Sequence, residues 1–161
     1  MGDGEMRRTL EQFAVNSGLT ISTPENYNRD ATLIFTSWRS DVDVINAGSD
    51  IITLTSFNEG TPVSLIEAQA AQKPIVSTRV GGIQDIVQEG KTALLSDIDD
   101  KNAFYNNLLS IVQNDDLRNE MSRQGKINVI TKYSYQNLVN NMSHLYYDLL
   151  QNASANSLVR V

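Results

Sequence analysis

The chain has 161 residues, of which 40% are hydrophobic and 20% charged, and no apolar stretch is long enough to span a membrane, so the sequence predicts one globular domain. It contains no cysteine and a single histidine, His144, which excludes disulfides, thiol catalysis and cysteine-based metal sites. A formal net charge of -6 argues against extended contact with nucleic acid or an anionic membrane, which depends on clustered lysine and arginine.

The first part of the chain predicts one helix, one loop and one short strand. Apolar residues recur at helical spacing over residues 3–17, and Gly18 follows as a glycine just past the helix end. Residues 21–30 (ISTPENYNRD) are rich in turn-forming residues and predict a loop. Residues 32–36 (TLIFT) predict a strand.

Helices and strands alternate regularly in the middle of the chain. The predicted strands are β-branched runs at residues 51–55 (IITLT), 74–78 (PIVST) and 92–95 (TALL). The predicted helices are residues 40–47, capped by Ser40 or Asp41, residues 61–72, capped by Thr61 ahead of Pro62, and residues 82–88. This alternation with short connections implies right-handed parallel crossovers, and hence an α/β fold with a parallel sheet and helices on both faces.

The last third of the chain predicts amphipathic helices that cap the sheet. Apolar residues recur at helical spacing in two series, Phe104, Leu108, Ile111 and Val112, then Leu138, Met142, Leu145, Tyr146, Leu149 and Leu150. Another helix is expected over residues 115–132, and residues 153–161 are expected to be a frayed tail. His144 is expected at the surface, and the tyrosines of this region are expected to pack.

Polar segments follow the predicted strands, at the edge where open parallel sheets bind their ligands. The segment from Glu59 to Pro62 leads directly into a helix, whose free N–H groups favour an anion. Glu67 lies in that helix, and carboxylates beside an anion site suit sugar hydroxyls. The two glutamates therefore suggest a ligand that carries both phosphate and hydroxyls, such as a nucleotide sugar. The pattern alone is equally consistent with an exposed loop acid and a solvated helix residue.

Residues 59–74 (EGTPVSLIEAQAAQKP) and 75–82 (IVSTRVGG) resemble the donor-binding, C-terminal half of the retaining GT-B glycosyltransferases called group 1 or family 4. The shared pattern is Glu, seven residues, Glu-Ala, Lys-Pro, a hydrophobic strand and a Gly-Gly turn. Residues 2–5 (GDGE) and 34–43 (IFTSWRSDVD) are similar to two further segments of that half. The resemblance implies a Rossmann-like parallel sheet, truncated on its N-terminal side, and a partial nucleotide-sugar-binding domain over residues 1–152.

The resemblance also implies roles for particular residues. Glu59 would contact the donor sugar and act as the catalytic residue, and Glu67 would grip the ribose hydroxyls. Trp38 and Arg39 would flank the nucleobase, mostly through the main chain. The sugar and diphosphate would be held by the backbone amides at the helix start, which belong to Gly60, Thr61, Val63, Ser64 and Leu65. The donor would be a nucleoside diphosphate sugar, most plausibly a UDP-sugar, with no metal or other cofactor, and we expect a cytoplasmic protein.

The sequence departs from the family pattern in ways that bear on activity. Ser37, Gln72 and Ala93 replace family glycines, and a left-handed backbone at Gln72 would cost about 1 kcal/mol without glycine. From the resemblance, we expect these 161 residues to lack the family's first strand–helix unit and its acceptor domain. We therefore expect weak nucleotide-sugar binding and negligible turnover by this chain alone. The alternative is a non-catalytic subunit or regulatory module that completes a site with a separate chain carrying the acceptor domain.

Several other residues admit two interpretations. Trp38 either flanks a base or caps the core, and Gly81 and Gly82 either contact substrate or only permit a tight turn. Lys73 and Arg79 either supply charge to a phosphate or, for Lys73, complement a helix C-terminus. The strand at residues 32–36 either joins the strand at 51–55 or stays detached, in a sheet of three to four parallel strands.

Overall fold

The structure, a computed structural model, describes residues 3–158, so Gly2 of the glycine turn and residues 159–161 of the expected frayed tail lie outside the described residues. The chain divides into two compact units, an N-terminal unit, Met1–Val44, and a C-terminal unit, Ile45–Val161. In chain order the elements are α1 (Arg7–Asn16), β1 (Ile21–Ser22), β2 (Leu33–Ile34), α2 (Val42–Gly48), β3 (Ile52–Leu54), α3 (Val63–Ala70), β4 (Ile75–Thr78), α4 (Ile83–Ile86), β5 (Ala93–Ser96), α5 (Lys101–Gln113), α6 (Asp115–Tyr133) and α7 (Tyr135–Leu158).

The N-terminal unit contains α1 and a two-stranded parallel pair, β1 and β2. The expected strand at residues 32–36 is present as β2, but it lies outside the three-stranded sheet and pairs with β1 instead. The prediction of a loop throughout residues 21–30 was wrong for the first two residues. Hydrogen bonds between the two segments explain the difference, because the Leu33 N–H donates to the Thr20 carbonyl at 3.0 Å and the Phe35 N–H to the Ser22 carbonyl at 2.8 Å. The Thr20 hydroxyl adds a further bond, since it accepts from the Thr32 N–H at 2.9 Å.

The C-terminal unit contains a parallel sheet in the order β3-β4-β5, as the alternation of elements predicted. Neighbouring strands are in register, with Ile52 opposite Ile75 and Ile75 opposite Ala93. β4 is central, and all four of its residues are buried. A continuous apolar or small sequence is what a strand covered on both faces requires.

Each face of the sheet has its own hydrophobic core. On one face, Ile75 and Leu95 pack with α3 and α4 through residues such as Leu65 and Ile83. On the other face, Val76 packs with α5 and α6 through buried residues that include Ile111 and Met121. Because Ile75 and Val76 are consecutive, they point to opposite faces of β4. The prediction of helices on both faces is thereby confirmed.

A buried amide network joins α3, α4 and α6. The Asn128 Nδ2 group donates to Gln69 Oε1 and to the Ile86 carbonyl, both at 2.9 Å. Gln88 Nε2 donates to Asn128 Oδ1 at 3.0 Å, and Gln69 Nε2 donates to the Leu65 carbonyl at 3.2 Å. Gln69 is fully buried and Asn128 nearly so, and the bonds that join them to each other, to Leu65 and to Ile86 are buried, while the bond from Gln88 is partly buried.

Two residues that replace family glycines have a left-handed backbone. Gln72, just after α3, has φ of 58°, and Ser37 has φ of 56°. This is the conformation that side chains with a Cβ disfavour. The left-handed backbone expected at Gln72 is therefore present in the structure. Ala93, by contrast, is a fully buried residue of β5.

The C-terminal helices form as predicted, but α7 differs from the others in its exposure. The apolar side chains of its expected series are all exposed, namely Leu138, Met142, Leu145, Tyr146, Leu149 and Leu150. His144 is exposed, as expected. Of the tyrosines expected to pack, Tyr133 does so against the first core, whereas Tyr105, Tyr135, Tyr146 and Tyr147 are exposed. Among the described residues, no helix is both long enough and apolar enough to cross a membrane.

Replacement of Asn128 by leucine should destabilise the protein by about 2–4 kcal/mol, because Gln69, Gln88 and Ile86 would each lose a buried partner. Urea unfolding measures the change. The matched control is Asn106→Leu on the exposed side of α5, which should change stability by less than about 0.5 kcal/mol. An equal effect of the two substitutions would contradict a stabilising role for the network.

Replacement of Gln72 by glycine should stabilise the protein by up to about 1 kcal/mol, because glycine adopts a positive φ without steric cost. The same substitution at the exposed Gln84 in α4 should destabilise it by about 0.5–1 kcal/mol, because glycine weakens a helix. Thermal and urea unfolding of the two variants should therefore shift in opposite directions. A shift in the same direction would show that the Gln72 backbone is not strained.

Candidate functional site

The connection between β3 and α3 carries the first predicted carboxylate. Glu59 is half-buried, and its Oε1 atom accepts a hydrogen bond from the Ser56 hydroxyl at 2.6 Å. The Thr78 hydroxyl, at the carboxyl end of β4, donates to the Ser56 carbonyl at 2.8 Å. The Glu59 carboxylate is therefore held at the carboxyl edge of the sheet, where ligands of parallel sheets bind.

The Gly81-Gly82 turn packs directly on the backbone of this connection. The Gly82 N–H donates to the Glu59 carbonyl at 3.3 Å. A Cβ atom at Gly81, where φ is 49°, would lie 1.8 Å from the Glu59 carbonyl oxygen, and one at Gly82 would lie 2.2 Å from that of Gly60. Glycine is therefore required at positions 81 and 82 because two backbone segments are in direct contact there, and not only because the turn is tight.

The helix start differs from the prediction in one respect. α3 begins at Val63 with Pro62 as its N-cap, and no side chain caps it, so the prediction of Thr61 as the cap was wrong. Proline cannot donate a backbone hydrogen bond, and the Leu65 N–H already donates to the Pro62 carbonyl at 3.0 Å. The first-turn N–H groups of Val63 and Ser64 have no acceptor within the helix and remain suited to an anion.

The other expected residues of α3 divide between surface and core. Gly60, Thr61, Val63 and Ser64 are exposed, as is Glu67 one turn into the helix. Leu65 is fully buried, so its side chain serves the core. The exposed side of the helix start thus carries free amides and the polar side chains of Thr61, Ser64 and Glu67 together with Val63, while Leu65 faces the core.

Trp38 and Arg39 belong to the N-terminal unit, and they line a cavity of about 410 Å³ within it. Tyr27, which is 79% exposed, lines the same cavity. Trp38 is 78% exposed, so the alternative in which it caps the core is wrong. Arg39 forms an ion pair with Asp41, and this hydrogen-bonded pair lowers the pKa of the Asp41 carboxyl.

The two basic residues considered for a phosphate role both have other partners. Arg79 forms ion pairs with Glu89 and Asp97, and its hydrogen bonds lower the pKa of the Glu89 carboxyl. Lys73 donates to the Ala47 carbonyl at 3.0 Å, near the C-terminal end of α2. Each charge is engaged by groups of the protein in this structure. Within the described residues, no cluster of three or more His, Asp or Glu side chains could hold a metal ion.

Ser56, Thr78 and Tyr27 were missed as functional candidates by the sequence interpretation. Ser56 lies in the polar segment between the predicted strand at residues 51–55 and Glu59, so the sequence places it near the carboxylate without indicating the hydrogen bond. Thr78 contacts Ser56 across 22 positions of sequence, and Tyr27 lies in a segment interpreted only as loop. No local pattern indicates those two contacts.

Comparison with known proteins identifies the family. Residues 2–128 match the family described as glycosyl transferases group 1. The chain belongs to the group 1 glycosyltransferases. The predicted family is thus confirmed on a match that covers most of the chain.

Among curated relatives, the group 1 chain is 26% identical over 127 residues to N-acetyl-alpha-D-glucosaminyl L-malate synthase of Bacillus anthracis, covering 79% of this chain and 33% of that protein. It is 31% identical over 113 residues to D-inositol 3-phosphate glycosyltransferase of Corynebacterium glutamicum, covering 70% of this chain and 27% of that protein. The chain therefore spans about a third of the length of the curated relatives it matches.

Solved structures with the same fold are glycosyltransferases. HepE of Anabaena, solved in complex with UDP, has a TM-score of 0.74 at 17% identity and covers 88% of this chain and 36% of that chain. The C-terminal domain of the group 1 protein LpcC of Francisella tularensis has a TM-score of 0.66 at 22% identity and covers 81% of this chain and 64% of that chain. These likenesses confirm the Rossmann-like GT-B fold.

Replacement of Gly82 by alanine should destabilise the protein by about 2–3 kcal/mol, because the new Cβ atom would overlap the Gly60 carbonyl oxygen. Gly81→Ala should have a similar effect, since it adds a clash to a positive φ. Gly48→Ala is the matched control, because no atom lies within 4 Å of its added Cβ. Urea unfolding of the three variants tests the contact, and equal stability of all three would refute it.

Proposed function

We propose that this chain is the nucleotide-sugar-binding part of a family 4-like, retaining glycosyltransferase whose donor is a UDP-sugar. The observation that carries the proposal is the Glu59 carboxylate, held by Ser56 immediately before the free amides of α3. The structural neighbour HepE has been solved with UDP and with UDP-glucose, which supports this class of donor.

In this proposal, the connection from β3 to α3 binds the sugar and the diphosphate. Glu59 accepts hydrogen bonds from the sugar hydroxyls through the carboxylate lone pairs that Ser56 leaves free. The N–H groups of Gly60, Thr61, Val63 and Ser64 donate to the diphosphate, aided by the helix dipole. Leu65 contributes to the core beneath this segment.

The proposal assigns the nucleoside to two further places. Glu67, exposed on α3, accepts hydrogen bonds from the ribose hydroxyls. Trp38 and Arg39 flank the nucleobase, and the cavity that they line within the N-terminal unit supports this role. The ion pair with Asp41 partly compensates the charge of Arg39.

The proposed reaction follows from these contacts. The bond between the anomeric carbon and the diphosphate oxygen breaks, and a bond from the anomeric carbon to an acceptor hydroxyl oxygen forms, while the hydroxyl proton passes to the departing diphosphate. Glu59 stabilises the positive charge that develops on the sugar, and the amides of α3 stabilise the departing diphosphate. We propose no metal or other cofactor, because the backbone amides take the role of neutralising the leaving group.

The proposal also includes a partner. The chain spans about a third of its curated relatives, and we propose that the acceptor is bound by further polypeptide, in the same chain or in a separate one. Transfer by this chain alone is accordingly proposed to be negligible, while donor binding is measurable but weak.

Binding of UDP and UDP-glucose to Glu67→Gln and Glu59→Gln variants should separate the two glutamates. Glu67→Gln should weaken both ligands about tenfold, because both contain the ribose, and a hydrogen bond to a charged group contributes about 1.5–3 kcal/mol. Glu59→Gln should weaken UDP-glucose alone. Ligand-observed NMR and thermal shift measure these affinities, together with guanosine and adenosine diphosphate sugars as competitors.

The matched control for this experiment is Glu120→Gln. Glu120 lies on α6, where hydrogen bonds from Arg123 and Gln124 lower the pKa of its carboxyl to about 2. Its replacement should leave both ligand affinities unchanged. Absence of binding of any nucleotide sugar to the unmodified chain, or equal weakening by all three variants, would refute the proposed site.

A further inference from the structure

Two hydrogen bonds in series connect the central strand of the sheet to the Glu59 carboxylate. Thr78, the last residue of β4, is 7% exposed, and its hydroxyl donates to the Ser56 carbonyl oxygen at 2.8 Å. The Ser56 hydroxyl in turn donates to Glu59 Oε1 at 2.6 Å. The rigid, buried strand therefore fixes the backbone of Ser56, and Ser56 fixes the side chain of Glu59.

The length of the second bond indicates its character. A distance of 2.6 Å falls within the range of charge-assisted bonds from a hydroxyl to a carboxylate, which are stronger than bonds between neutral groups. Among the residues that the structure describes, Ser56 is the side chain that donates a hydrogen bond to the Glu59 carboxylate. The bond occupies one lone pair of Oε1 and leaves Oε2 free to accept from a ligand.

The backbone of Glu59 is restrained separately from its side chain. Its carbonyl accepts from the Gly82 N–H at 3.3 Å, and the Gly81-Gly82 turn packs against it. These contacts leave the side-chain torsions of Glu59 undetermined. A glutamate side chain has considerable rotamer freedom, and a carboxylate that binds sugar hydroxyls must lose it. Ser56 supplies the contact that removes this freedom before a ligand arrives.

We propose that Ser56 is a positioning residue that orients the Glu59 carboxylate toward the donor sugar, and that Thr78 holds Ser56 in place. The inference rests on the proposed function, because it concerns the sugar that Glu59 would bind. It assigns Ser56 no contact with the nucleotide. Ser56 therefore affects the binding affinity contributed by the sugar, and it leaves the affinity contributed by UDP unchanged.

The experiment compares UDP-glucose with UDP for each variant of the full chain. Ser56→Ala should raise the ratio of the UDP-glucose Kd to the UDP Kd about tenfold, since it removes a bond to a charged group, while the UDP Kd stays unchanged. Ser56→Thr retains the hydroxyl and should restore the ratio. The matched control is Ser110→Ala, which removes a hydroxyl bonded to the Asn107 carbonyl in α5 and should leave the ratio unchanged.

Two further variants separate positioning from general stability. Thr78→Val should raise the same ratio about threefold, because it acts only through Ser56, and Thr78→Ser should restore it. In a Glu59→Gln background, Ser56→Ala should change the ratio little further, because the charged group that it orients is gone. A merely structural role would instead lower both affinities in every background.

The outcomes distinguish this inference from the proposed function. If Glu59→Gln changes the ratio and Ser56→Ala does not, the positioning role is overturned and the donor site stands. If Ser56→Ala weakens UDP and UDP-glucose equally, the positioning role is likewise overturned. If the unmodified chain binds neither ligand, the proposed function fails and the positioning role fails with it.

Discussion

The contact between two backbones, that of the Gly81-Gly82 turn and that of the Glu59-Gly60 connection, is the constraint on which the candidate site depends. The approach is too close for any side chain at Gly81 or Gly82. It places the end of β4 and the end of β3 in fixed relation, so the carboxylate of Glu59 and the start of α3 emerge at the same edge. A glycine pair in a later segment of the chain thus restrains the backbone from which the Glu59 side chain projects.

Electrostatics around this edge follow a consistent pattern. The two basic side chains of the C-terminal unit that were considered for a phosphate already have partners, Arg79 two carboxylates and Lys73 the Ala47 carbonyl. An anionic ligand is therefore left to backbone N–H groups, which carry no net charge and have fixed directions. Such donors select an anion by geometry more than by charge, which suits a chain whose net charge is -6.

Much of the fold could be predicted because the sheet is parallel and buried on both faces. Strands such as β4 are then runs of apolar and small residues, and the helices between them keep the helical period of apolar side chains. β1, and with it the pairing partner of the predicted strand β2, escaped prediction because a strand of two residues has no period. The capping role of Thr61 failed because Pro62 itself occupies the N-cap, a choice that local propensity does not determine.

The candidate site was predictable in its residue types and only partly in its contacts. Glu59 and Glu67 could be selected as candidates from their spacing and from the predicted helix, which begins between them in the structure. Gln72 and Ser37 stand where the family has glycine, and both have the left-handed backbone that glycine favours, although each carries a side chain. The Thr78–Ser56 bond and the amide network could not be predicted, because they join segments distant in sequence through the folded sheet.

The buried amide of Gln69 has a consequence for the thermodynamics of binding. Gln69 and Glu67 are two positions apart, so they lie on nearly opposite sides of α3. Any rotation of α3 that moved Glu67 would break the bonds that Gln69 makes with Asn128 inside the protein. The rotation of α3 about its axis is therefore fixed before any ligand binds. Binding of a ligand to Glu67 would accordingly cost the protein little backbone conformational entropy.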